Sequence, residues 1–231
     1  MSQYTSTDPV VAARDLVRIF STASGDVPAV RSVSLDIKSG ELLALQGRSG
    51  SGKTTLLNLL GGLDRPTSGS VLFEGQDIAS MSERAITELR RSRVGYVFQA
   101  FGLLPLLSAY ENVELPLRIN GVSRRERRQR TEEALGRVGL GPRSRHRPYE
   151  LSGGEQQRIA IARAVAVKPS VLLADEPTGD LDSATGLSIG NLLRDVAHDE
   201  RIAVVVATHD MTLVGLADRV KMLVDGVFTE E

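Results

Sequence analysis

The sequence predicts an α/β fold with a parallel core sheet, an antiparallel β lobe at its N-terminal end and an inserted helical region. Short runs of β-branched and aliphatic residues alternate with longer helical patterns, which is typical of parallel strands joined by crossover helices. Only strand patterns occur before Gly40, and none occurs between Ala100 and Lys168. The predicted core strands are Glu41–Gln46, Val94–Phe98, Val171–Asp175, Ala203–Thr208 and Val220–Val224.

The N-terminal segment contains two strand patterns, Val10–Phe20 and Ala29–Ile37, with no helix between them. Parallel neighbours need a long crossover connection, so we expect an antiparallel lobe here. After the first core strand, a helix is expected over Lys53–Leu60 and is ended by two glycines. Turn residues at Arg65–Gly69 then lead into a strand over Ser70–Glu74.

The region without strand patterns is predicted to contain several helices, including Ser108–Ile119, Arg124–Val138 and Glu155–Lys168. We interpret it as a helical subdomain, roughly residues 100–168, inside a single domain spanning residues 1–231. Its basic run, Ser123–Arg130, lacks aromatic residues, so a solvated helix face is favoured over a phosphate or lipid patch. The run begins with the Ser-x-x-Glu spacing of a capping box.

The bulk composition excludes several classes of protein. Of the 231 residues, 41% are hydrophobic and 25% are charged, as in ordinary soluble globular proteins. The formal net charge of −1 argues against nucleic acid as a partner, because such binding depends on an excess of cationic groups. The absence of cysteine excludes disulfides, thiolate nucleophiles and cysteine-ligated metal sites. No leader or membrane-spanning pattern occurs, so we expect a cytoplasmic chain unless another protein holds it elsewhere.

A glycine-rich loop, GRSGSGKT, separates the first core strand from the helix that begins at Lys53. In this context the spacing strongly predicts a P-loop, and a ligand-free turn is the disfavoured alternative. Glycines aim backbone N–H groups inward, Lys53 reaches the outer phosphates, and the Thr54 hydroxyl can bind Mg²⁺. The predicted nucleotide-binding residues of this segment are Gly47, Arg48, Ser49, Gly50, Ser51, Gly52, Lys53, Thr54 and Thr55.

The segment VLLADE, Val171–Glu176, is an apolar strand that ends in two carboxylates. Alone, such a strand is commonly just a strand entering a loop, but ligands of open parallel sheets bind beyond this end. With the P-loop, the pair indicates a nucleoside-triphosphate hydrolase. Asp175 is predicted to hold Mg²⁺, and Glu176 to polarise the water that attacks the γ-phosphate.

Two more polar residues follow core strands, Gln99 and His209. Each alone would be unremarkable, since a histidine at a strand end is more often a surface or capping residue. Together with the carboxylates they suggest a ring around the γ-phosphate. Gln99 is predicted to touch the metal or the attacking water, and His209 to bond the γ-phosphate and hold Glu176. His146 and His198 lack this setting and receive no role.

A second glycine-bearing helix start, LSGGEQQR, begins at Leu151 and has no lysine of its own. Ser152 and Glu155 have capping-box spacing, so one interpretation is that the stretch merely starts a helix. A capping box needs no glycines, however, whereas Gly153 and Gly154 would let another molecule approach a helix N-terminus that favours anions. We therefore predict that it completes a phosphate site on a second copy of the chain.

These motifs resemble those of the ATP-binding subunits of ABC transporters, and the resemblance covers essentially the whole chain. They occur in the family's order: GRSGSGKT, Gln99, LSGGEQQR, VLLADEP, the loop Gly179–Asp182 and the histidine of ATHD. The phrases GGLDRPTSG and HRPYELSGGEQQRIAIARA resemble the lipoprotein-releasing and macrolide-exporting subgroup. The implied fold is a P-loop NTPase, and the implied cofactors are ATP and Mg²⁺.

The resemblance implies a head-to-tail dimer with two ATP molecules, each between the P-loop of one copy and the LSGGE loop of the other. Ser152 and Gly154 would then contact the γ-phosphate across the dimer, and Asp182 would belong to the nucleotide site. The family's aromatic adenine platform maps to Phe20, where many members have tyrosine. A departure occurs at Asp180, where the subgroup usually has asparagine.

The resemblance also implies a separate transmembrane permease and a peripheral location on the cytoplasmic side of the plasma membrane. The family's coupling surface maps to residues 100–117, AFGLLPLLSAYENVELPL, where exposed apolar residues would mark a partner site. A buried core helix is the equally weighted alternative. For function, we expect ATP hydrolysis that drives export or mechanical transmission of a lipoprotein- or drug-type substrate. The alternative is a non-transport ATPase that regulates a membrane partner, such as a cell-division or cell-wall hydrolase complex.

Overall fold

A computed structural model describes residues 8–23 and 25–229 of the protein. Ten strands and seven α-helices occur within these residues. The strands are β1 (Val11–Thr22), β2 (Gly25–Ile37), β3 (Leu42–Gln46), β4 (Ser68–Phe73), β5 (Gln76–Asp77), β6 (Val94–Val97), β7 (Val171–Asp175), β8 (Ala203–Thr208), β9 (Arg219–Val224) and β10 (Val227–Phe228). The helices are α1 (Lys53–Leu60), α2 (Glu83–Ser92), α3 (Ala109–Ile119), α4 (Arg124–Arg137), α5 (Gly153–Ala166), α6 (Ser183–Glu200) and α7 (Met211–Leu216).

The N-terminal lobe is an antiparallel sheet with strand order β2-β1-β4-β5. Val11 pairs with Ile37 at one end of the β1–β2 ladder, and Thr22 pairs with Gly25 at the other. Bulges interrupt this ladder, and they increase the local twist of the strands. The lobe predicted from consecutive strand patterns is therefore confirmed, and its strands extend further than the apolar residues alone indicate.

The core sheet has strand order β10-β9-β3-β8-β7-β6, and its strands are parallel except for β10. Successive side chains face opposite layers, as the pleat requires. Leu43 and Leu45 pack toward α1, whereas Leu42 and Val204 pack toward α5 and α6. Burying each of these side chains contributes about 1.5–3 kcal/mol. The carboxyl ends of the parallel strands consequently meet at one edge of the sheet, where the predicted site residues follow them.

The chain between β6 and β7 contains helices and no strand, so the predicted helical insertion is confirmed. Helices α3, α4 and α5 share a buried cluster that includes Val113, Leu135 and Ile159. Helix α5 begins and ends two residues earlier than the predicted range, and its N-cap is Ser152, as the capping-box spacing indicates. Whether residues 1–231 behave as one domain stays a prediction.

The basic run on α4 is solvated, as its lack of aromatic residues indicates. Exposed arginines pair with glutamates one turn away, as Arg128 does with Glu132. The predicted capping box is only half formed: the Ser123 hydroxyl accepts a hydrogen bond from the Glu126 N–H, but the Glu126 carboxylate pairs with Arg130 instead. Over residues 8–23 and 25–229, no helix combines the length and apolar character needed to cross a bilayer.

Candidate functional site

The P-loop joins β3 to α1 in a conformation that requires its first and last glycines. A Cβ on Gly47 would lie 2.4 Å from the Leu223 carbonyl oxygen. Gly52 has φ of 103°, and a Cβ there would lie 2.2 Å from the Ala29 carbonyl oxygen. As the N-cap of α1, Gly52 offers no side-chain hydrogen bond. The first N–H groups of α1 are therefore open to an anion.

The remaining P-loop residues form the rim of this segment. Arg48, Ser49 and Gly50 are exposed, Ser51 is buried, and Thr55 is half-buried on α1. The Ser51 hydroxyl is buried without a hydrogen-bond partner among the described residues. A polar atom left unpaired in this way suggests that a ligand or water completes its bonding.

Lys53 is the cation of the site, and only 6% of its side chain is exposed. Its ammonium group donates to the carbonyl oxygens of Gly47 at 2.7 Å and Arg48 at 3.2 Å. It also lies 3.3 Å from Glu176 Oε1. A buried ammonium needs such partners, because its desolvation is otherwise costly. The loop thus holds one positive charge between its own backbone and the end of β7.

Thr54 and Asp175 come together although 121 residues separate them. The Thr54 hydroxyl donates to Asp175 Oδ2 at 2.8 Å, while Asp175 Oδ1 is buried without a partner among the described residues. Burial raises the pKa of the Asp175 carboxyl, and the Thr54 hydrogen bond opposes this rise. An orphaned carboxylate oxygen beside a hydroxyl fits Mg²⁺, which prefers oxygen ligands.

In the part of the chain that the structure describes, no three His, Cys, Asp or Glu side chains gather to hold a metal. Mg²⁺ keeps several waters and takes phosphate oxygens as ligands, so it needs few protein groups, and its presence here stays a prediction. The pair of Thr54 and Asp175 would then supply the protein's share of the coordination.

Glu176 is held in a strained and well-fixed position. Its φ of 46° is left-handed, which is uncommon outside glycine and costs about 1–3 kcal/mol. Its backbone N–H donates to the Ala207 carbonyl at 2.9 Å, anchoring the end of β7 to β8. The Glu176 carboxylate lies between Lys53 and His209, with His209 Nδ1 3.0 Å from Oε2. A carboxylate fixed from two sides can orient a water molecule or accept its proton.

His209 itself is largely exposed, with 68% of its side chain accessible, so its other ring nitrogen can reach a ligand. The adjacent turn is tied back to the loop after Glu176: the buried Thr178 donates its hydroxyl to Asp210 Oδ2 at 3.0 Å. Sequence reasoning missed this tie. Both residues adjoin motif residues, in ADEPT and THD, and that adjacency is the signal that could have revealed them.

Gln99 follows β6 but turns toward another loop. Its Nε2 lies 3.3 Å from Asp180 Oδ1, and Gly179 packs against the same amide. Neither Asp175 nor Thr54 forms a hydrogen bond with Gln99 among the described residues. The predicted contact of Gln99 with a metal or water therefore stays a prediction, while its bond to Asp180 is a feature that the motif alone did not indicate.

The second glycine-bearing helix start is a complete capping box. The Ser152 hydroxyl accepts from the Glu155 N–H, and the Glu155 carboxylate accepts from the Ser152 N–H at 2.9 Å. A Cβ on Gly154 would lie 2.5 Å from Thr185 Cγ2, so α6 of the same chain already requires this glycine. Packing inside the chain therefore gives Gly154 a structural reason of its own, and its predicted contact with another molecule stays a prediction. At Gly153, a Cβ would meet ordinary contacts.

Two other predicted residues have partners of their own. Asp182 is the N-cap of α6 and accepts from the N–H groups of Ala184 and Thr185. Phe20 is partly exposed on β1, and the Arg18 guanidinium lies 4.3 Å from its ring centroid. This cation–π contact covers one face of the ring. No hydrogen bond or ion pair between described residues joins residues 152–154 to the P-loop.

The sequence model of the ABC transporter family matches residues 30–179. The chain belongs to the ABC transporter family. This ABC protein is 51% identical over 219 residues to "Lipoprotein-releasing system ATP-binding protein LolD 2" of Caulobacter vibrioides, covering 95% of the chain and 96% of that relative. It is 43% identical to "Macrolide export ATP-binding/permease protein MacB 2" of Aeromonas hydrophila, covering 97% of the chain but 34% of that longer protein.

The ABC protein is also similar to solved structures. A dimeric structure of MJ0796, described as a bacterial ABC transporter cassette, has 41% sequence identity and a TM-score of 0.87, and the match covers 95% of this chain and 97% of that one. A second dimeric structure of MJ0796, in a post-hydrolysis state with ADP and Pi, has a TM-score of 0.86 and 40% identity, with the same coverage. The predicted family, subgroup resemblance and fold are confirmed, and the ABC protein is an ATP-binding ATPase.

Proposed function

We propose that this chain is the energy-supplying subunit of an ABC export or mechanical-transmission complex. Two copies close around two ATP molecules and drive a separate transmembrane permease from the cytoplasmic side of the plasma membrane. The similarity to LolD and MacB proteins over nearly the whole chain supports a substrate of the lipoprotein or drug type. The observation that carries the proposal is that the chain has one complete P-loop and a second, lysine-free helix start that this P-loop does not use.

ATP binding in this proposal begins at the P-loop. The open N–H groups of α1 and the ammonium group of Lys53 bind the phosphates, and Thr54 and Asp175 would hold Mg²⁺ beside them. When bound, Mg²⁺ neutralises phosphate charge and orients the γ-phosphate. Glu176 orients the attacking water and accepts its proton, while His209 holds the Glu176 carboxylate and bonds the γ-phosphate.

Closure of the dimer depends on the γ-phosphate. Ser152 lies at the N-terminus of α5, where the helix favours an anion, and it adds contacts only when a partner's nucleotide approaches. ATP therefore stabilises the closed pair more than ADP does, and hydrolysis removes this difference in affinity. The cycle of closing and opening is the motion that the permease would receive.

A permease contact is supported by the segment before α3. Leu106 is 81% exposed and Leu104 is 45% exposed, although both are large apolar side chains. On α3 itself, Val113 and Leu117 are completely buried. The two interpretations of residues 100–117 thus apply to different parts of the segment: the loop offers an apolar surface, and the helix packs into the core.

The dimer is tested by trapping it with Glu176→Gln. This change should lower kcat about 10²–10⁴-fold while leaving ATP binding intact, because it removes the base and keeps the shape. With ATP and Mg²⁺, size exclusion should then show a dimer that ADP does not produce. A Glu176→Gln protein that binds ATP and stays monomeric would contradict the shared site.

The permease is tested by co-purification from membranes. Recovery of the tagged chain with a permease that carries a large extracytoplasmic domain is the expected result, and Leu106→Glu should weaken it without changing ATP hydrolysis in the isolated dimer. Recovery with ribosomes or DNA would overturn the transport role. Cargo is identified by whether lipoproteins or drugs stimulate ATP hydrolysis in the reconstituted complex.

A further inference from the structure

Arg163 on α5 binds the loop that follows Gln99. Its guanidinium donates to the Phe101 carbonyl oxygen at 3.0 Å and also to the Gly102 carbonyl oxygen. A planar guanidinium can hold two acceptors at once, whereas a lysine would supply a single ammonium group. One side chain thus fixes two consecutive peptide groups of a loop 61 residues away from it in the sequence.

The backbone at this contact is sharply bent. Phe101 has φ of 57° and Gly102 has φ of 60°, so two consecutive residues adopt the left-handed conformation. Glycine adopts it freely, but a bulky residue such as phenylalanine does so only when surrounding contacts impose it. Arg163 supplies such contacts on the carbonyl side of the bend, which begins two residues after Gln99.

Arg163 pays a desolvation cost that an ordinary surface arginine avoids. It is half-buried, and among the described residues no carboxylate pairs with it. Burial lowers the pKa of its guanidinium. Partial burial of a cation without an anionic partner is unfavourable unless hydrogen bonds to its N–H groups compensate for the lost hydration. Its two carbonyl contacts account for its presence on an otherwise apolar stretch of helix.

The same helix carries Ser152 at its other end. Helix α5 runs from Gly153 to Ala166 without a break, and residues 159–162 are buried in the core, so it moves as a rigid unit. A displacement at Ser152 is therefore passed to the carbonyls that Arg163 holds. Gln99 belongs to the same loop, two residues before Phe101, and is joined to the bend through the backbone of Ala100.

We propose that Arg163 is a positioning residue for Gln99. It locks the bend at residues 101–102 to α5, so that Gln99 takes its place at one nucleotide when Ser152 on the same helix engages the other. This inference rests on the shared-site dimer proposed above and adds a physical link between its two sites. Arg163 does not contact Gln99 directly and would act on it through the backbone of the loop.

A double-mutant cycle tests whether Arg163 acts through Gln99. Arg163→Met keeps most of the side-chain volume and removes both hydrogen bonds, so kcat should fall about tenfold with KM for ATP changed less than about twofold, because the P-loop is untouched. In a Gln99→Ala background the same change should lower kcat by less than about twofold. Equal fold-losses in the two backgrounds would show a merely structural role and overturn the proposal.

Arg158→Met is the matched control on the same helix. Arg158 also donates to a backbone carbonyl, that of Val138 at 3.2 Å, and to the Ser188 hydroxyl, but it makes no contact with the loop after Gln99. We expect Arg158→Met and Arg163→Met to lower thermal stability by similar amounts. Arg158→Met should lower kcat by the same factor whether residue 99 is glutamine or alanine. If Arg158→Met instead reproduces the background-dependent loss of Arg163→Met, the link is not specific and the proposal fails.

Hydrogen exchange provides the deciding measurement if Gln99→Ala leaves too little turnover to measure. The amides of Phe101 and Gly102 should exchange faster in Arg163→Met than in the parent, and their exchange should be unchanged in Arg158→Met. Their exchange rates in Arg163→Lys should lie between those of the parent and Arg163→Met. The lysine variant also provides the test if Arg163→Met folds poorly. Unchanged exchange at both amides would contradict the proposal. Before these measurements, the parent protein is shown to hydrolyse ATP, and its Glu176→Gln variant is shown to form the ATP-dependent dimer. A failure of the proposed dimer is therefore recognised separately from a failure of the Arg163 proposal.

Discussion

The two glycine-bearing helix starts of this protein, α1 and α5, are built in opposite ways. The N-cap of α1 is Gly52, which gives no side-chain hydrogen bond, so the first N–H groups of that helix are open. The N-cap of α5 is Ser152, whose hydroxyl and N–H exchange hydrogen bonds with Glu155. One start offers unbonded N–H groups, whereas at the other the Ser152 hydroxyl donates to the Glu155 carboxylate and would have to turn from it to donate to a phosphate.

Their charges differ as well. A buried lysine, Lys53, lies at the first start, and a glutamate, Glu155, lies at the second. The Glu155 carboxylate, which has Arg143 3.8 Å away, makes the α5 start less favourable for a phosphate than the α1 start with its buried lysine. A phosphate already held by Lys53 of another copy carries less net negative charge. The difference teaches that α5 is suited to completing a site and not to starting one, which agrees with the proposed dimer.

The largest effect should come from the first start. Lys53→Met should lower kcat/KM for ATP on the order of 10³-fold, because it removes the buried cation and leaves Glu176 without one of its two partners. Steady-state ATP hydrolysis measures this loss. Lys38→Met, at an exposed lysine next to β2, is the control and should leave the rate unchanged. A loss below about tenfold for Lys53→Met would show that α1 is not the phosphate-binding start.

At the second start, the ATPase rate should be nearly as sensitive to mutation, but only to a substitution that adds negative charge. Ser152→Asp keeps a good N-cap and places an anion against the incoming phosphate, so turnover should fall about 10²-fold. Ser152→Asn keeps the cap without the charge and should cost less than about tenfold. ATP affinity of the monomer should be equal in both. If Ser152→Asp hydrolyses ATP normally, the comparison between the two starts breaks down.

A smaller effect is expected at Asp180, in the loop between β7 and α6, which bonds Gln99. Asp180→Asn keeps an oxygen that can accept from Gln99 Nε2 but removes the charge that strengthens this hydrogen bond. Because both residues are exposed, kcat should fall only about twofold to threefold. Single-turnover hydrolysis measures the change. An increase, or a loss beyond about tenfold, would show that Asp180 acts on the dimer and not on Gln99.

The smallest effect is a pH dependence of the α5 cap. Hydrogen bonds from the Ser152 N–H and hydroxyl lower the pKa of Glu155 below its ordinary value of 4.5. A lowered folded-state pKa means that the stabilisation is present above pH 4.5 and is lost as the pH falls below it toward the folded pKa. Glu155→Gln should therefore lower the free energy of unfolding by about 0.3–1 kcal/mol near neutral pH and by less in acid.

Urea denaturation of the parent and of Glu155→Gln at several pH values checks this prediction. Glu132→Gln serves as the control, since Glu132 pairs with Arg128 on the exposed face of α4 and caps no helix. A difference between parent and Glu155→Gln that grows as the pH falls would have the wrong sign.

The sequence predicts most of the fold because the relevant signals are local. The bounds of α1, β7 and β8 match the prediction, since each is a short apolar or glycine-bounded segment. Spacing alone also indicates the P-loop and the carboxylates that follow β7. The bond between Gln99 and Asp180 joins residues 81 positions apart, and no local pattern encodes it.

Gly154 shows a different limit of sequence reasoning. Its sequence context suggests an open approach for a ligand, whereas its structural neighbour is Thr185 of the same chain. A glycine in a motif indicates that other atoms approach the backbone closely, but it does not identify those atoms. Arg163 is a similar case, because only the folded chain brings its guanidinium to the carbonyls of Phe101 and Gly102.

The most direct measurement mixes two variants that are each inactive, Lys53→Met and Ser152→Asp. In a mixed dimer, the intact P-loop of the Ser152→Asp chain faces the intact α5 start of the Lys53→Met chain. Random pairing makes half of the dimers mixed, each with one complete site of two, so the mixture should recover about a quarter of the parental ATPase rate. A mixture no more active than its separate components would contradict the claim that two chains share each nucleotide.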